Sequence, residues 1–224
     1  MAKVFLSPSN QYDNVYAYGN TTEGVQCGKI ADACKIALER SGVDVMLMHD
    51  ESMQTKCAES NKFGADLHVP IHTNAFNGSV MGTRMFCYNT GKGMAACKAI
   101  FTRVAPLSPG TSENIQVNPK LYEVRVPKAP TAYLECEFHD TVEGAKWVVE
   151  NAATIGEAIA QGICDYFGVT YKPVEQPKPA RPEQPAEQKL YRVQVGAFAS
   201  RANAEKMVQR LKEAGFDAFI RQDA

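Results

Sequence analysis

The sequence predicts an α/β fold, a mostly parallel β-sheet flanked by helices, with a Pro-rich linker and a small C-terminal β-α-β unit after it. Three observations carry that reading. Across residues 1–170, short apolar or alternating runs are separated by longer runs of helical period. Residues 171–189 (YKPVEQPKPARPEQPAEQK) hold five prolines among Glu, Gln, Lys and Arg, so they offer little to bury and read as an extended linker. Alternating and helical patterns then return over 190–224.

Taken in order, Lys3–Leu6 (KVFL) is an apolar strand. The segment EGVQCGKIADACKIALERSG sets Val25, Ile30, Ala33, Cys34 and Ala37 on one helical face and stops at Gly42. Val43–Met48 is a strand, Ser52–Phe63 a helix, and Asp66–His72 and Thr83–Tyr88 are strands. Gly93–Val104 is helical, and Thr131–Phe138 (TAYLECEF) is the last strand of the domain. The longest helix, Asp140–Phe167, opens with DTVE, a capping-box pattern from Asp140 to Glu143. In the C-terminal unit, YRVQVGAF alternates as a strand, SRANAEKMVQRLKEAG is helical and FDAFI is a second strand. About 35 residues is below the size that usually folds alone, so this unit is expected to pair with a copy from another chain, to continue beyond Ala224, or to be marginal.

Composition narrows the function. A net charge of -1 argues against a general nucleic-acid binder, which needs basic excess to neutralise phosphates. No run approaches the roughly 20 apolar residues of a membrane span. MAKVFLSPSNQYD turns polar after Leu6, which leaves no room for a secretory apolar region, so synthesis in the cytoplasm without a signal peptide is expected. Seven cysteines are scattered without a CxxC pair and sit among apolar neighbours; they read as buried, reduced thiols used as small hydrophobes.

In a parallel sheet the active site lies beyond the carboxyl ends of the strands, and Ser7, His72 and Glu135 fall at or just after expected strand ends. His72 is followed by the polar turn TNAFNG, which keeps its imidazole near solvent; taken singly it also reads as a structural histidine. Glu23 opens the first long helix, where dipole matching alone explains a carboxylate. Glu135 interrupts an apolar strand, and a carboxylate there needs a partner. A zinc hydrolase needs about three protein ligands, an open position for water and a carboxylate to move protons.

Four segments, KVFLSPSNQ, EGVQCGKIADA, SNKFGADLHVPIHTNAFNG and LYEVRVPKAPTAYLECEF, together resemble the zinc-dependent N-acetylmuramoyl-L-alanine amidases of bacterial cell-wall turnover, sporulation and phage lysis. The resemblance spans nearly all of residues 2–168, and the SNKFG…NAFNG segment is its most specific part. It implies a twisted α/β sheet with Zn2+ held by Glu23 and His72, and Glu135 as the catalytic carboxylate. The implied reaction is hydrolysis of the amide joining the lactyl group of N-acetylmuramic acid to L-Ala of the stem peptide. The implied partner is peptidoglycan, met as a sporulation enzyme or an endolysin after the membrane fails.

One position departs from the family pattern: where the family has its first zinc-ligating His, after strand one, this chain has Asn10. Three outcomes stay open. Asn10 or Gln11 ligates weakly or through water; His139, four residues after Glu135, moves in; or the site is degraded and the domain binds peptidoglycan without cutting. A zinc peptidase acting on another bond is a further alternative. Arg125 stands where the family often has an Arg and is a candidate substrate contact, with a surface salt bridge as its plainer role. His68 lies about 13 Å from His72 along the strand, which suits core packing or support of the site. His49 reads as a solvated strand-end residue, and Glu137 as a neighbour that tunes Glu135 or supports His139. Finally, YRVQVGAFASRANAEKMVQRLKEAGFDAFI resembles half of a SPOR domain, which implies binding to glycan strands stripped of stem peptides, with self-association through the half repeat as a hypothesis.

Overall fold

The computed structural model describes residues 1–174 and 193–222, and the chain divides into two units, Met1–Val174 and Glu175–Ala224. The first unit is built on a six-stranded sheet. Its strands are β1 (Lys3–Pro8), β2 (Asp44–Leu47), β3 (Leu67–Asn74), β4 (Arg84–Cys87), β5 (Asn114–Val117) and β6 (Tyr133–Phe138), in the spatial order β2-β1-β3-β6-β4-β5. Neighbours run parallel except β4 and β6, which are antiparallel. The mostly parallel sheet expected from the alternation of strands and helices is therefore present, with one reversal in it.

Strand alternation sorts the side chains to two faces. Val4, Leu6, Leu67, Val69, Ile71, Met85 and Leu134 are fully buried on one face, in a single core with α1 (Glu23–Arg40), α3 (Lys92–Val104) and α5 (Val142–Phe167). Burying each Leu or Ile of this kind is worth roughly 1.5–3 kcal/mol. The opposite face carries Phe5, Ser7, His68, His72, Tyr133 and Glu135, under α2 (Met53–Phe63) and the single turn α4 (Tyr122–Arg125). On α1, Ile30, Cys34 and Ala37 are buried as the periodicity predicts, whereas Val25 is 40% exposed and Gln26 is buried in the first turns instead.

Local chemistry fixes the helix ends. Ser52 caps α2 by accepting from Thr55 N–H. The cap of α5 is Thr141, which accepts from Gly144 N–H. The expected capping box at Asp140 does not form, because the Asp140 carboxylate accepts instead from Phe76 N–H and Gly78 N–H, both at 2.8 Å. That carboxylate ties down the turn that follows His72. All seven cysteines are buried and form no disulfide.

In the second unit, α6 (Arg201–Glu213) forms where expected. Residues 193–198 and 216–222 form no ladder among the described residues, since a strand needs a partner edge to satisfy its N–H and C=O groups. The linker expected over 171–189 and the start of the first expected strand lie mostly outside the described residues. No helix among the described residues is long and apolar enough to cross a membrane.

Candidate active site

The site forms where β3 and β6 lie side by side. His72 and Glu135 are register partners across these strands, and Arg84 of β4 is the partner of Glu135 on its other side. Register thus places an imidazole, a carboxylate and a guanidinium in one row on one face. The β3–β6 register shifts between His72 and Asn74, an irregularity of the kind that re-aims side chains near sites.

Glu23 reaches His72 from the first turn of α1. Its Oε1 lies 2.9 Å from His72 Nδ1, and both residues are buried. Asn14 Nδ2 donates to Glu23 Oε2 at 2.7 Å, and Gln11 Nε2 approaches Oε1 at 3.4 Å. Burial disfavours ionisation of Glu23, but His72, Asn14 and Ser9 outweigh it and hold its carboxyl below the usual range. The His72 ring stacks on Tyr133 with centroids 4.7 Å apart. On its far side, Nε2 lies 3.8 Å from Glu123 Oε2, beyond hydrogen-bond reach, and is left without a partner. Burial disfavours the imidazolium, but flanking Glu123 and Glu23 raise the His72 pKa to about 9.

Glu135 is half-buried, and its Oε2 has no hydrogen-bond partner. Burial is the main force pushing its pKa up to about 7, with Glu23 adding to the rise and His72 and Arg84 opposing it. A carboxylate with a free oxygen and a pKa near neutrality is suited to accept and return a proton. Glu123, on α4, is buried between β1 and β3, accepting from Ser7 Oγ and lying 3.4 Å from His68 Nε2. Burial would raise it, but His68, His72 and Ser7 hold it down at about 2.

The structure brings Glu23, His72 and Glu135 together, with Gln11 beside Glu23, and gives the remaining candidates other surroundings. Asn10 is exposed, and its amide donates to the Glu51 carbonyl at 3.0 Å. The His139 Nδ1 lies 2.9 Å from Thr73 Oγ1, and its ring stacks on Tyr16 at 5.0 Å. Thr73 is the residue after His72 in β3, so His139 is held beside His72 by its neighbour; burial lowers the His139 pKa and the Glu23 charge opposes that. Arg125 is exposed at the end of α4. His49 pairs with Asp32 at 3.0 Å. Glu137 accepts from Gly82 N–H and Ser108 Oγ and so holds two loops rather than His139.

Sequence reasoning passed over Glu123, Tyr133, Asn14 and Arg84. For Glu123 a signal existed: in LYEVR it stands between Leu121 and Val124, where one helical turn against a sheet would bury it. Tyr133 and Arg84 become neighbours of the site only through strand register, which no local pattern carries.

The donor chemistry suits zinc. Glu23 and His72 offer oxygen and nitrogen donors, and the unpartnered His72 Nε2 and Glu135 Oε2 mark buried polar atoms that a bound species would satisfy.

Comparison with known proteins agrees with this architecture. The profile of the N-acetylmuramoyl-L-alanine amidase family matches residues 11–165, and that of the SPOR domain matches residues 176–223. The sporulation-specific N-acetylmuramoyl-L-alanine amidase of Bacillus subtilis (strain 168) is 23% identical over 230 residues, covering 98% of this chain and 84% of that protein. The amidase CwlM of Bacillus licheniformis is 24% identical over 233 residues, with 98% and 85% covered. In fold, the catalytic domain of CwlV from Bacillus (Paenibacillus) polymyxa var. colistinus superposes with a TM-score of 0.68 at 16% identity, over 76% of this chain and all of that one. AmiC2 of Nostoc punctiforme gives 0.64 at 19% identity, over 75% and 97%. With its sheet and more than half its length matched, the chain belongs to the N-acetylmuramoyl-L-alanine amidase family and carries a SPOR domain after it.

Proposed function

We propose that this peptidoglycan amidase is zinc-dependent, cuts the bond between N-acetylmuramic acid and L-Ala, and uses Glu135 as its general base. The observation that carries the reading is Glu135 itself, a half-buried carboxylate with one unpartnered oxygen, in register with His72 on the face that Glu23 reaches. Glu23 and His72 are the residues that would hold the ion. When bound, zinc supplies Lewis acidity that activates water near neutral pH and polarises the scissile carbonyl. Asn14 and Gln11 orient Glu23 through their amides, and Tyr133 holds the His72 ring by stacking. Glu135 Oε2 takes a proton from the attacking water and gives it to the departing L-Ala nitrogen. The His72 charge, with a smaller contribution from Arg84, opposes burial and keeps that carboxylate partly ionised near neutrality.

Mass spectrometry of digested peptidoglycan tests the bond: free stem peptides beginning at L-Ala are expected, and fragments cut within the stem would overturn the assignment. Glu135→Gln is expected to lower turnover by about 10²–10⁴-fold, the usual contribution of a positioned acid–base group, with zinc content unchanged. Full activity in that variant removes Glu135 from its role. Exchanging Glu23 or His72 for Ala is expected to remove activity together with the zinc that this pair holds.

The SPOR match supports a second part of the proposal, that residues after Val174 hold the enzyme on glycan strands already stripped of stem peptides. Such strands are what the amidase reaction leaves behind.

A further inference from the structure

On the face that carries His72, a second group of ligating atoms converges. Cys57 Sγ from α2, a His68 ring nitrogen from β3 and a Glu123 carboxylate oxygen from α4 all lie within 4.8 Å of one another, and all three residues are buried. No other three His, Cys, Asp or Glu ligand atoms lie this close together among the described residues. We propose that Cys57, His68 and Glu123 form a second metal site, one that takes a thiophilic divalent cation such as zinc.

Four features favour a ligand here over simple packing. His68 is fully buried and its Nε2 has no hydrogen-bond partner, although it faces Glu123 Oε1 at 3.4 Å. Two ligands at about 2.0–2.1 Å from a tetrahedral ion lie roughly 3.3–3.4 Å apart, so this spacing already matches a shared ion. The other ring nitrogen, Nδ1, is 3.0 Å from Ser60 Oγ, and the ring stacks on Phe5 at 5.3 Å. Ligating histidines are oriented in this way by a partner on the second nitrogen. Ser7 Oγ donates to Glu123 Oε1 and orients the carboxylate.

The chemistry balances without a co-reactant. With its Nδ1–H given to Ser60, neutral His68 offers the Nε2 lone pair, and Glu123 is already ionised. Cys57 releases its thiol proton to solvent as the Sγ–metal bond forms. A sulfur, nitrogen and oxygen set favours zinc or cobalt over magnesium or calcium. Glu123 turns Oε1 toward His68 and Oε2 toward His72, so an ion here would fix the carboxylate beside the proposed catalytic site. The proposal holds whether or not Glu23 and His72 bind zinc.

The sulfur ligand makes the two sites separable. The full chain, stripped with a chelator and titrated with Co2+, is expected to show a thiolate-to-cobalt charge-transfer band in the near ultraviolet. Glu23 and His72, which offer only oxygen and nitrogen, cannot produce that band. Cys57→Ser is expected to abolish it and to lower cobalt binding by one equivalent per chain, and His68→Asn to weaken binding at least tenfold. The double variant Glu23→Ala/His72→Ala is expected to keep the band. Absence of the band in the folded wild-type chain overturns the proposal, as does its persistence in Cys57→Ser. Should Cys57→Ser fail to fold by circular dichroism, the double variant decides: the band kept supports the second site, and the band lost overturns it.

Discussion

Glu135 meets two opposed demands. Catalysis wants a carboxylate that holds a proton at neutral pH, and folding has to bury the charge once that proton leaves. In metal-free protein its pKa stands near 7, against an ordinary value of 4.5. Between those values the folded chain keeps a proton that the unfolded chain has released, so stability falls as pH rises across the window. Glu135→Gln removes this penalty. Chelator-treated Glu135→Gln is expected to exceed the wild type in urea-unfolding stability by roughly 1–3 kcal/mol at about pH 8, and to match it near pH 4. Equal pH slopes in the two proteins would show that burial does not hold the proton on Glu135. At Asn10 the direction is reversed. Its amide faces the Glu51 carbonyl, which leaves Glu23 and His72, with Gln11 beside Glu23, as the positions expected to bind zinc that the structure brings together. An imidazole is a far better zinc ligand than an amide. Asn10→His is therefore expected to slow zinc loss on dialysis by at least the roughly tenfold that loss of one outer-sphere partner costs such sites. No change would mean that the turn after β1 does not reach the ion.

At the scale of elements, α1 and α5 cross closely because Gly156 lacks a side chain. A Cβ at that position would lie 2.6 Å from both Ala33 Cβ and the Ile30 carbonyl oxygen. Backbone cannot yield as a flexible side chain does, so Gly156→Ala is expected to destabilise by about 1–3 kcal/mol or more, read as a lower urea midpoint. Because Glu23 opens α1, the same change is expected to loosen the zinc site too; an unchanged midpoint would show that the helices part without cost. The crossing also marks what sequence can and cannot tell. β1, β3, β4, β6 and helices α1, α2, α3 and α5 were legible because each carries buried residues, and β2 because its run is apolar although every residue in it is only partly buried. β5 (NIQV) was not, since it is a short edge strand in which polar Asn114 and Gln116 leave no apolar run. α4 is one turn, too short for a period, so Glu123 was overlooked. The reversal of β4 against β6 depends on how the intervening chain returns, which no local pattern encodes. His72, Glu23 and Glu135 were named through motif resemblance, whereas the hold of Thr73 on His139 depends on the register of β3 in three dimensions.

At the scale of the whole molecule, the amidase unit is self-contained. Every residue of the main hydrophobic core, and every partly buried hydrophobic packed against it, lies between Ala2 and Tyr171. The α6 helix of the second unit has no buried residue among those described. Ending the chain at Val174 is therefore expected to leave the unfolding midpoint of the amidase unit unchanged. It is also expected to leave hydrolysis of a short soluble muropeptide unchanged, because Glu23, His72 and Glu135 all remain. Whole cell walls should respond differently. A tethered glycan-binding unit raises the effective concentration of substrate around the site, and such linkage multiplies binding by up to about 10²–10⁴ when both units engage. The truncated chain is thus expected to sediment with stripped glycan strands at least tenfold less than the full chain, and to digest intact walls more slowly at low enzyme concentration. Equal sedimentation of the two chains would assign wall binding to the amidase unit. A fall in muropeptide hydrolysis would instead show that the second unit contributes to the active site itself.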